Sequence, residues 1–69
     1  MKEHDVVRLL SPIPAIGSEP GIEEWTSGTI VHIYPYKYPR GRAMEVEFIV
    51  EGRSYVKTVF ETLVTKEAS

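Results

Sequence analysis

The run AMEVEFIV, residues 43–50, has a period that only a half-buried strand can use. Met44, Val46, Phe48 and Val50 fall on one face, and Glu45 and Glu47 on the other. Ile49 breaks the polar face, so that side is expected to be partly covered. Similar β-rich runs lie on either side. DVVRLL (5–10) ends at Ser11-Pro12, GTIVHIY (28–34) follows a long segment with three prolines and two glycines, and SYVKTV (54–59) follows EGR (51–53). Gly52 in that tripeptide can take the positive φ a tight hairpin requires. FET (60–62) suits a single 3₁₀ turn, and 62–66 a short fifth strand. No helix is expected.

The chain has 69 residues and no cysteine. Disulfides and thiolate metal sites are therefore excluded as staples, and one small apolar core must carry the fold. Five short antiparallel strands with a long first connection and tight later turns are expected to close into an SH3-like barrel. Closure would remove the sheet edges that invite aggregation. An OB-fold commonly needs more residues and a helix. One domain, residues 1–69, is expected. The connection SPIPAIGSEPGIEEWTS (11–27) is expected to be ordered, because Ile13, Ile16, Ile22 and Trp25 call for burial.

Asp5 to Val7 with Leu9, Gly28 to Val31, Glu45 to Phe48 and Gly52 to Tyr55 together resemble a bacterial family of very short SH3-like barrel proteins, a domain of unknown function. That family reads Asp-Val-Val-x-Leu, Gly-Thr-Val-Val, Glu-Val-Glu-Phe and Gly-Arg-Thr-Tyr in the same order. The likeness spans nearly the whole chain, but its motifs are strands and turns. It therefore implies a fold and no chemistry, with an immunity or antitoxin-like role as the attached functional expectation. Gly17–Ser27 and Tyr34–Arg42 are longer here than in the family pattern. A weaker likeness, through Val7 to Pro12 and the Val-x-Phe of the third strand, is to the small barrel protein of photosystem I. The docking role of that barrel implies a basic face, and this acidic chain shares only the fold.

Net charge is −2, but it is unevenly spread. Lys37, Arg40 and Arg42 supply three of the eight cations within YPYKYPRGR (34–42), while Glu19, Glu23 and Glu24 form an opposite patch. The N-terminal apolar run is too short for a secretion signal, and no stretch approaches the length of a membrane span. With no cysteine, a reducing cytoplasm is the expected compartment.

Two roles fit the 34–42 stretch. Tyr34, Tyr36 and Tyr38 beside Arg40 and Arg42 have the composition of binding hot spots. Alternatively, Pro35 and Pro39 stiffen a hairpin tip while the tyrosines pack across it and the cations keep it soluble. On the first reading, a shallow groove between 11–27 and 34–42 binds another protein. The tyrosines, with Lys37, Arg40, Arg42 and Trp25, contact the partner, and Glu23 and Glu24 set its orientation or pair with the arginines. Trp25 is more simply a lid on the core than a ligand platform. A weak RNA-binding barrel resembling the KOW element is the rival reading, limited by its few cations. A structural homodimer through exposed Val6, Leu10 and Ile49 is a third. Catalysis is poorly provided for: no nucleophile elbow, phosphate loop or His-x-x-x-His spacing occurs, and His4 and His32 read as solvent-facing strand residues. No cofactor or metal is expected.

Overall fold

The computed structural model describes residues 1–67. Its elements are β1 (Val6–Leu9), β2 (Ser27–Tyr38), β3 (Gly41–Val50), β4 (Arg53–Phe60), a 3₁₀ turn (Glu61–Leu63) and β5 (Val64–Lys66). All pairings are antiparallel, in the spatial order β4-β3-β2-β1-β5. β1 therefore sits between the second strand and the last.

β3 is the centre of the core. Met44, Val46 and Phe48 are fully buried, and Val7, Leu9, Ile22, Ile30, Val59 and Val64 close around them. Gly28 is required by this packing, because a Cβ there would lie 2.6 Å from the Phe48 ring. Glu45 and Glu47 face outward, as the alternation implies. The β3–β4 turn has positive φ at both Glu51 (52°) and Gly52 (80°), as a type I′ hairpin demands.

Several expectations are corrected. The sheet does not close: β4 and β5 are the two ends of the strand order, separated by the 3₁₀ turn and the brevity of β5. The fifth strand begins at Val64 rather than Thr62, and the 3₁₀ turn is displaced by one residue to 61–63. His4 is not in a strand but in a turn at φ 74°. The segment 34–42 is not a loop, because β2 and β3 run on to a two-residue connection, Pro39-Arg40, where Tyr38 pairs with Gly41. Gly41, at φ 90°, supplies the left-handed residue that follows such a turn. Pro35 falls where the β2–β3 register slips, between Ile33 and Lys37, the kind of irregularity that tolerates a missing N–H donor.

The first connection is ordered by a small hairpin. Ile13 and Ile22 exchange two 2.8 Å backbone hydrogen bonds, and Ile22 drops into the core with Ile13 packed beside it. Burial stops there. Ile16 stands at the hairpin tip beside Gly17 with 68% of its surface exposed, against expectation.

Lys57 faces inward on β4, opposite the buried Val46 and between Tyr55 and Val59. Its side chain is only 12% exposed, and its ammonium pairs with Glu19 from the first connection. No described backbone group of Arg53–Phe60 bonds outside the ladder with β3. An inward charge on such an edge hinders the docking of another strand.

Candidate functional site

The three tyrosines of 34–42 lie on the outer half of β2, past the core. Tyr36 is 69% exposed and has no side-chain hydrogen bond among those described. Tyr38 is anchored at its edge against the Phe60 ring, with centroids 5.8 Å apart. Tyr34 donates its hydroxyl to Glu45 Oε2 at 3.2 Å and meets the His32 ring at right angles. Glu45 also accepts from Thr58 Oγ1. The negative charge of Glu45 raises the Tyr34 pKa above the usual phenol value, with desolvation and the hydrogen bond adding to the shift. Lys37 and Arg42 are paired in register. The tip is moored to the 3₁₀ turn, since Glu61 Oε1 accepts from the Arg42 N–H at 2.9 Å and Thr62 Oγ1 donates to the Arg40 carbonyl.

The concavity at Glu23 does not extend to the 34–42 segment: the two stand at opposite ends of β3, while Glu19 of the first connection reaches its middle, at Lys57 opposite Val46. Glu23 lines a concavity with Pro20, Gly21, Thr26 and Ile49–Glu51. Arg42 lies eight residues back along β3 from Val50, about 27 Å at the rise of a strand. No ion pair joins Glu23 or Glu24 to Arg40 or Arg42 among the described residues. Val6, Leu10 and Ile49 are all exposed, but they form no single patch: Val6 on β1 and Leu10 just past its end lie on either side of Arg8, and Thr29 and Glu47 fill the row from Val6 toward β4.

Trp25 is not a lid. It lies outside the core cluster, 55% exposed, in the left-handed region at φ 71°. Both its backbone groups are held by β1: its N–H donates to the Leu9 carbonyl at 2.8 Å, and its carbonyl accepts from Arg8 Nη1 at 3.0 Å. Strand alternation turns Val7 and Leu9 inward and Arg8 outward, in a row with Ser27 and Thr65. The Arg8 guanidinium lies 5.7 Å from the Trp25 ring centroid and donates through Nη2 to Glu67 Oε1 at 2.6 Å. Ser27 Oγ donates to the other Glu67 oxygen at 3.3 Å. Arg8, Trp25, Thr65, Lys66 and Glu67 line a concavity of about 350 Å³ with a mostly carbon wall.

Sequence reasoning singled out Trp25 but missed Arg8 and Glu67. The available signal was the lone cation in DVVRLL, which alternation must turn outward. Among the described residues no three His, Asp or Glu side chains converge as metal ligands do, and no helix is long and apolar enough to cross a membrane. No protein-family model, no curated protein and no solved structure matches the chain.

Proposed function

We propose that this chain is a non-enzymatic protein-interaction module, and that the outer β2–β3 ribbon, Tyr34–Arg42, is its partner surface. The observation that carries this reading is the exposure of Tyr36 on a ribbon that packs nothing in the core and is held firm at its tip by Glu61 and Thr62. Aromatic rings on a rigid ribbon bury area at low entropic cost, and arginine offers a fixed fork of donors. Tyr36 is the anchor, Tyr38 and Tyr34 flank it, and Lys37, Arg40 and Arg42 meet acidic groups of the partner. Glu23 and Glu24, at the far end of β3, take no part in this face. An immunity or antitoxin-like role in a bacterial cytoplasm is the specific form of the proposal, with a toxin as the partner.

A photo-cross-linking residue placed at Tyr36 in cells should trap one discrete protein, and the same residue at Ser54, paired with Ile49 at the opposite end of β3, should not. The double variant Tyr36→Ser/Arg40→Ser should then bind that protein at least tenfold more weakly with an unchanged melting temperature. Equal trapping from both positions, or full affinity in the double variant, would refute the ribbon as the interface. RNA trapped at Tyr36 instead of protein would move the chain to the rival class.

A further inference from the structure

We propose that the cross-strand pair Lys37 and Arg42, with Arg40 at the turn, holds a short run of carboxylates on a partner protein. The inference rests on the ribbon being the interface and supplies the chemistry of what the ribbon binds. It starts from a conflict within the ribbon itself. Lys37 and Arg42 stand directly opposite each other on the β2–β3 ladder, and like charges so placed destabilise a sheet. Nothing in the described fold relieves them. Arg8, Lys57 and Lys66 each pair with a carboxylate, whereas Lys37, Arg40 and Arg42 enter none of the described ion pairs. Glu61, the acid moored at this tip, lies against Gly41 and directs Oε1 to the Arg42 backbone N–H.

The register places the pair. β3 keeps one unbroken pairing with β4, so its side chains alternate faces throughout. Arg42 therefore shares the face of Met44, and Lys37 shares it by pairing with Arg42. Both are exposed, because the core ends at Met44. Tyr38 pairs with Gly41 and takes the other face, where its ring meets Phe60, the partner of Ala43. Glu45 and Glu47 continue that other face along β3. The ribbon thus has a cationic side, free of acids along β3, and an aromatic side that runs into carboxylates. The rest of the chain limits the length of the ligand. Without these three cations, five basic residues remain against ten acidic ones. A long polyanion would gain few phosphate contacts at the tip and then meet a negatively charged body. A short acidic segment on a folded partner meets the tip alone. Arg42 offers it a planar fork and Lys37 a point charge. A competing role for the cations is to guard the β2 edge, since no described backbone group of 31–38 bonds outside the ladder with β3.

The probe is an end-blocked hexaglutamate peptide, titrated into isotope-labelled protein and followed by NMR through the backbone amides. The amides of Lys37 and Arg40–Arg42 should shift saturably, at a dissociation constant on the order of 1 mM in low salt. Physiological salt should weaken binding about threefold or more, and hexalysine should leave these amides in place. Lys37→Glu converts the repelling pair into an attracting one. It should weaken hexaglutamate about tenfold while raising the melting temperature by about 1–4 °C. A gain in stability with a loss of binding is a signature that a merely structural cation would not give. Absence of saturable shifts would overturn the proposal, as would full hexaglutamate affinity or a lowered melting temperature in Lys37→Glu. Tighter binding of hexauridylate than of hexaglutamate would make the ligand a nucleic acid. Self-association of Lys37→Glu at undiminished peptide affinity would assign the cations to guarding the edge. The ribbon reading is judged separately, with the protein trapped at Tyr36, which should also bind Lys37→Glu about tenfold more weakly. If that protein is lost on Tyr36→Ser/Arg40→Ser but not on Lys37→Glu, the ribbon stands and the acidic segment falls. If nothing is trapped while hexaglutamate still seeks the pair, the carboxylate site stands and the ribbon loses its place as the native interface.

Discussion

Trp25 occupies a conformation that glycine adopts at no steric cost, and the balance of terms there sets a stability prediction. The left-handed backbone costs an L-residue roughly 1–2 kcal/mol, and the half-exposed ring recovers an amount on the order of 2 kcal/mol. Trp25→Gly should therefore change unfolding free energy in urea by no more than about 1 kcal/mol, whereas Phe48→Ala in the core should lose about 3–5 kcal/mol. A core-sized loss at position 25 would restore the lid that sequence reasoning favoured. Exposure at this residue was not legible beforehand, because a tryptophan among isoleucines reads as core and nothing local announces a positive φ. The Tyr34–Glu45 pair makes a second prediction at this scale. Glu45 raises the folded-state pKa of the Tyr34 phenol. The stabilisation linked to that shift is complete below the unfolded-state value of about 10 and is lost as pH rises through the higher folded-state value. Glu45→Gln should return Tyr34 toward ordinary titration in an alkaline ultraviolet titration and shrink the loss of stability above pH 10 or so. Unchanged tyrosine titration in the variant would remove Glu45 as the cause.

Among the elements, legibility followed burial. β3 was readable because one face is core and the other solvent, and the β3–β4 turn because Gly52 has a backbone job. The outer half of β2 was not, since a ribbon past the core buries neither face and keeps its backbone pairing without any hydrophobic period. Pro35 and Pro39 then read as a loop. The 53–63 segment shows the opposite ambiguity: Val56, Val59, Phe60 and Leu63 have helical spacing, yet 53–60 is a strand because register with β3 turns Tyr55, Lys57 and Val59 inward together. The groove failed for a topological reason, as nothing in a single sequence says which end of β3 each connection occupies. The turn itself carries a prediction. Glu51 takes positive φ where type I′ hairpins favour asparagine, so Glu51→Asn should stabilise the protein by about 0.5–1 kcal/mol, read as a higher urea midpoint at constant m-value. A lower midpoint would mean that Glu51 makes a contact that matters more than its backbone.

For the whole molecule, an open strand order leaves β4 unpaired on one side, and the inward Lys57 paired with Glu19 is the guard against further strand addition. The chain should be monomeric by light scattering, and Lys57→Val should associate as concentration rises. A dimeric parent protein would favour the structural-homodimer reading, and a monomeric Lys57→Val would show that the edge is protected by something other than this charge. The ladder order has one more consequence, in time. β1 is complete by residue 9, but one of its two neighbours is β5, at residues 64–66. During synthesis β1 must wait about 55 residues for β5 before that side is satisfied, while the local β2–β3–β4 meander can assemble ahead of it. A nascent chain halted before Val64 would expose the Arg8 flank of β1 to chaperones and to neighbouring chains.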